Sequence, residues 1–133
     1  MAVRWVLLSC VALLGACAAL PPLGTPVTGD WGGRHVHMRM TATGGTLDYD
    51  CAAGTIDGPL RLDADGAFSA VGTHTPGWGG PEIEGQVLPT YRVRYAGVVR
   101  GKRMRLHGRV ENGVVLGPFS LQRGAEPIIF RCL

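Results

Sequence analysis

The sequence predicts an all-β domain: a small antiparallel up-and-down barrel of eight strands, with a two-sheet sandwich as the competing arrangement. Three observations carry this expectation. Apolar and polar residues alternate singly through most of the chain after Asp30. Glycine is abundant, 21 of 133 residues, and gathers where the alternation stops. No helical period is sustained beyond roughly ten residues once the first apolar stretch is passed. A meander of this size must cover its edges or close on itself. With eight strands the interior is either filled by side chains or holds one small ligand.

Residues 1–16 come first and are not part of that domain. Arg4 supplies a positive charge, Trp5 to Leu14 an apolar run, and Gly15-Ala16 a small-residue end. This is the layout of a secretory signal, too short to span a bilayer as a stable helix. The ending Leu14-Gly15-Ala16-Cys17 resembles a bacterial lipobox. That resemblance implies cleavage before Cys17 and lipid on its thiol, and Cys10 leaves too short an apolar core to serve instead. Two or more acyl chains anchor stably, at about 0.8 kcal/mol per buried methylene. By analogy with Gram-negative lipoproteins, Ala18 after the cysteine favours the outer membrane over inner-membrane retention. Residues 17–29 carry three prolines and no period, and read as a tether. Residues 30–133 then form the barrel domain.

The first hairpin is expected from Arg34 to Ala53. Val36, Met38 and Met40 alternate with His35, His37 and Arg39, and Leu47, Tyr49 and Cys51 with Thr46, Asp48 and Asp50. Gly44-Gly45 is a favoured two-residue loop. It pairs Thr43 with Thr46, Met40 with Tyr49, Met38 with Cys51 and Arg39 with Asp50. A second hairpin runs from Leu60–Leu62 through Asp63-Ala64-Asp65-Gly66 to Phe68–His74. A third runs from Tyr91–Val99 through Gly101-Lys102 to Met104–Val110. Asn112-Gly113 leads into a strand with Val115, Phe119 and Leu121 facing in, and Ile128–Cys132 is the last strand. Gly97, Gly108 and Gly117 fall on inward positions, which points to tight coiling rather than a wide cavity.

Cysteine arithmetic leaves Cys51 and Cys132 once Cys10 and Cys17 are set aside. An even pair in an exported chain reads as a disulfide. Its long loop corresponds to roughly 4–5 kcal/mol in the chain-entropy model. The alternative is two buried thiols. No Cys-x-x-Cys spacing supports structural zinc.

Two family resemblances enter here. Gly29-Asp30-Trp31 resembles the G-x-W element of lipocalins and other calycins. In that family it implies a Trp packed across the barrel base beside a late Arg, for which Arg123 and Arg131 are the candidates. Tyr49-Asp50-Cys51-Ala52-Ala53-Gly54 resembles the Tyr-x-Cys-x-x-Gly stretch of small envelope lipoproteins that inhibit lysozyme, and Cys132 matches their late cysteine. Their Ser-rich inhibitory loop and Lys-Gly motif are not found, and a fold does not by itself imply an activity.

The chemistry-bearing residues favour binding over catalysis. No Gly-x-Ser-x-Gly elbow, phosphate-binding loop or dinucleotide fingerprint occurs. No cofactor is expected, and no metal, although His35 and His37 share a face and would need a third ligand. His74 is expected near a barrel mouth with Thr73 and Thr75. Trp78 sits in the Gly- and Pro-rich loop from Thr75 to Pro89, where a large aromatic is either a contact anchor or a lid. Charge is segregated. Arg92, Arg94, Arg100, Lys102, Arg103, Arg105 and Arg109 occur with no acid among them, whereas Asp48 to Glu84 holds seven acids and one base. Alternation puts Arg94, Arg103, Arg105 and Arg109 outward. Such a face suits an anionic surface or an acidic partner. Export argues against nucleic acid. The expectation is an exported, lipid-anchored, non-catalytic binding module of the envelope. A carrier of a small apolar ligand near Met38, Met40, Tyr49 and Tyr95, or an enzyme inhibitor, is the alternative.

Overall fold

The computed structural model describes residues 24–132 apart from 78, 79 and 82. Residues 1–16 read above as a signal, Cys10, Cys17, most of the expected tether and Trp78 therefore lie outside the described residues. Eight antiparallel strands form: β1 (Gly29–Gly33), β2 (Val36–Thr41), β3 (Gly44–Tyr49), β4 (Ala52–Asp57), β5 (Ala67–Pro76), β6 (Tyr91–Arg100), β7 (Arg103–Val110) and β8 (Val115–Arg123). Each pairs with the next, and β8 returns to β1, so the sheet is a closed barrel and not a sandwich.

Alternation explains the wall. Along β7, Met104, Leu106, Gly108 and Val110 are buried while Arg103, Arg105, His107 and Arg109 are exposed. The inward residues of all strands meet as one core. Trp31, Val36, Met38, Leu47, Tyr95, Met104 and Leu106 are at most 1% exposed. These large side chains pack together inside the barrel, as an eight-stranded wall permits.

The strand count matches the expectation, but two members differ. Leu60–Leu62 is not a strand. Leu60 is a buried plug whose carbonyl accepts from the Val27 amide at 2.8 Å, and Pro26 bridges Arg61 beside it. Packing thus begins ahead of Asp30, since Val27 is itself in the core. The Asp63 carboxylate takes the amides of Asp65 and Ala67 at 2.8 and 2.9 Å, fixing the turn into β5. Ile128–Cys132 is not a strand either. It belongs to a strap, 124–132, that follows β8 and lies along β1, bridging Arg34 at Ile128. A side chain on Gly32 would run into Ala125 and Pro127 of that strap. In their place stand β1 and β4.

The first hairpin turns two residues earlier than Gly44-Gly45 implies. Thr41 pairs with Gly44, so Ala42-Thr43 is the loop and Met40 faces Gly45. Two causes act together. The Thr41 hydroxyl donates to the Gly44 carbonyl at 2.9 Å and accepts from the Thr43 amide at 3.3 Å, which satisfies the turn. Gly45 is also needed within the strand, because a side chain there would collide with the Met40 sulfur and the Arg39 carbonyl. The register moves by an even step, so the apolar set keeps its face. Arg39 consequently meets Asp48, at 3.0 Å, and not Asp50.

A bulge at Gly117-Pro118, opposite His107, changes β8. Leu106 faces Phe119 but Gly108 faces Leu116, so the parity shifts by one. Leu116 and Phe119 pack on the core, while Val115 turns outward instead of in.

Candidate functional site

Residues of β6 and β7 build the strongest candidate. Arg94 stands directly across from Arg109, and Arg100 across from Arg103. Arg92 and Arg105 continue the same outer face, and all six are exposed. Like charges set opposite on neighbouring strands repel. Among the described residues, no carboxylate lies within ion-pair distance of Arg94, Arg103, Arg105 or Arg109. The ion pairs present are on β1 to β4 and their turns: Arg39–Asp48, His37–Asp30 at 3.7 Å, and His35–Asp50. The structure therefore brings Arg94 and Arg109 together and sets Arg103 and Arg105 further along the same strand. Guanidinium pairs of this kind hold phosphate or carboxylate bidentately.

His74 keeps the inward bearing that alternation gives it, near the end of β5. It faces the interior, 7% exposed, with its ring 5.5 Å from that of Tyr49. Its Nδ1 has no partner among the described residues. Thr73 and Thr75 do not join it, because alternation sends them to the outer face, where they bond Thr55 and Thr90 at 2.8 Å. Burial pushes the imidazole below its ordinary value. Beside it the Tyr49 hydroxyl donates to Tyr95 at 3.0 Å, and Tyr95 to the Thr73 carbonyl at 3.4 Å. Burial, the largest cause for both, raises these phenols above the ordinary tyrosine value. The group is a buried polar cluster of the core.

His35 and His37 do not share a face. His35 occupies the turn before β2 at φ 73°, bonded to the Asp50 carboxylate, whereas His37 stays on the strand beside Asp30. No cluster of three or more His, Cys, Asp or Glu suited to a metal occurs among the described residues. Desolvation alone would raise Asp50, but the Phe130 amide at 2.7 Å, His35 and Arg34 together hold it below the ordinary carboxylate value. The same corner is tied by the Cys51–Cys132 disulfide, with Cα atoms 4.9 Å apart. At the other end of the barrel Arg123, of the two candidate arginines, lies over the Trp31 ring at 4.6 Å.

Sequence reasoning missed Val71 and Val115, which flank Arg94 and Arg109 on the outer face. Val71 was legible by alternation with Phe68 and Ala70. Val115 depends on the bulge at Gly117-Pro118, and a Gly-Pro pair inside a strand is the signal that could have found it. Compared with known proteins, the chain matches no family model, no curated protein and no solved structure.

Proposed function

We propose that this chain is an exported, lipid-anchored barrel of the bacterial envelope. It acts without catalysis, docking through the outer face of β6 and β7 on an anionic surface or acidic macromolecular partner. One observation carries the reading: Arg94 and Arg109 face each other across adjacent strands with no carboxylate in reach among the described residues. Holding two guanidiniums together costs free energy that an anion offsets. The outside is favoured over an internal ligand because Trp31, Met38, Leu47, Tyr95 and Leu106 pack together inside the barrel. The leader pattern ending at Cys17 supports attachment to the outer membrane from its periplasmic side.

The test uses the mature chain from residue 17 with Cys17→Ser, so that no acyl group drives association. Co-sedimentation with anionic vesicles is expected at low salt and is expected to weaken at ~0.15 M, where the Debye length is about 8 Å. Arg103→Glu with Arg105→Glu is expected to abolish it. Binding insensitive to both salt and charge reversal would remove the proposal. Intact mass of the membrane-extracted protein tests the anchor separately: a retained Met1 and an unmodified Cys17 would overturn it.

A further inference from the structure

The basic face is not uniform. Strand pairing sets Asp57, Val71, Arg94, Arg109 and Val115 in one row across the outside of β4 to β8. The adjoining row sets two short side chains, Ser69 and Ala96, opposite each other, with His107 next to Ala96. Short side chains beside long ones leave a hollow, and a cleft of about 630 Å³ opens there between Asp57, Ser69, Arg94, His107 and Arg109. Arg94 and Arg109 also border a second cleft of about 440 Å³ toward Glu111 and Gly113. The two guanidiniums form a ridge approached from both sides. Val71, 41% exposed, and Val115, 60% exposed, stand at its flanks. Charge in the centre with apolar shoulders is the surface an interfacial binder presents to a bilayer.

The start of the described chain lies on the same flank. The Gly24 carbonyl accepts from the Arg61 guanidinium, and the hollow bordered by Gly24 and Arg61 takes in Ser69, which also lines the Arg94 cleft. Cys17 precedes Gly24 by seven residues (24 minus 17). That length reaches at most about 25 Å when extended. A lipid on Cys17 would keep this flank within that distance of the bilayer.

We infer that Arg94 and Arg109 form a subsite for the phosphate of a phospholipid headgroup in the anchoring leaflet, with Val71 and Val115 resting at the interface. Each guanidinium offers a planar fork to the phosphate oxygens, and the shared anion relieves their mutual repulsion. Asp57 at the far end of the row repels phosphate and confines it to the arginine pair. The inference rests on the anchored, basic-face reading above and names its partner.

The experiment partitions the mature Cys17→Ser chain into vesicles carrying phosphatidic acid, and into vesicles of matched charge carrying a fatty-acid carboxylate. The unsubstituted pair is expected to prefer phosphate. Arg94→Gln with Arg109→Gln is expected to lose about 30-fold in partition to phosphatidic acid. Arg94→Lys with Arg109→Lys keeps the charge without the planar forks and is expected to weaken both partitions and to lose the phosphate preference. Arg100→Gln with Arg103→Gln is expected to weaken both partitions alike. All these side chains are exposed, so the barrel tolerates their replacement. Equal partition to both vesicles, or a preference that survives in the Lys pair, would overturn the subsite and leave the general basic face standing. No partition to either vesicle at low salt would overturn both. Displacement by inorganic phosphate at the vesicle phosphate concentration would assign the pair to the free ion and overturn the headgroup.

Discussion

Inside the closed barrel, the Tyr49 hydroxyl donates to the Tyr95 hydroxyl across 3.0 Å, and Tyr95 passes its own proton toward the Thr73 carbonyl. The two residues are 46 apart in sequence, so the bond ties β3 to β6 through the core. Tyr95→Phe leaves the Tyr49 hydroxyl buried without its acceptor and is expected to cost about 1–3 kcal/mol. The double replacement by Phe removes both polar groups and is expected to cost less than the two single changes summed. Urea unfolding of the four proteins checks this. Strict additivity would show that the bond contributes nothing.

The buried His74 imidazole makes stability depend on acidity. Its folded value lies below the ordinary 6.5, so the unfolded chain takes up the proton first. Stability is complete above about pH 6.5 and declines as pH falls through that value toward the lower folded one. Unfolding midpoints at about pH 7.5 and about pH 5 are expected to differ in the native chain and to converge in His74→Phe. Asp50 adds its own loss at lower pH, below the ordinary carboxylate value of 3.8, because its folded value is depressed. An unchanged pH slope in His74→Phe would contradict the assignment.

The Cys51–Cys132 bond closes a loop with sequence separation 81. Reduction, or Cys51→Ala with Cys132→Ala, is expected to cost about 4.5 kcal/mol in the chain-entropy model. Amide exchange is expected to rise first at His35 and Ile128, whose backbone bonds join the strap to the barrel at 2.8 and 3.0 Å. Uniform acceleration across all strands would show that the strap has no separate stability.

Gly32→Ala tests how closely the strap lies on β1. The added methyl meets backbone atoms of Ala125 and Pro127, which yield less readily than a flexible side chain. A cost of about 1–3 kcal/mol is expected. The cost is expected to shrink in the reduced protein, where the strap can lift. A cost independent of the disulfide would place the strain elsewhere.

The parts of the fold that alternation dictates were legible. The outward arginines of β6 and β7 and the inward Met104, Leu106 and Val110 follow directly from it. β4 was hidden because its inward residues are Gly54 and Ile56, a face too slight to register as apolar. Cys51 looked like a strand residue by its spacing from Tyr49, yet it adopts φ 57° in the turn before β4. Leu60 was read as strand because burial of a plug and burial of a strand leave the same apolar mark. The Arg94–Arg109 pair was visible as charge, but the hollow beside it depends on which small residues the register brings alongside, and Val115 depends on a bulge.

The barrel closes where Trp31, Gly32 and Gly33 meet Leu121, Gln122 and Arg123, a short seam under the strap. A hasp made of sulfur therefore guards the one place where first and last strands are stitched together. Undone in a reducing milieu, that margin is freer to part and to offer open amides and carbonyls to another copy's strand.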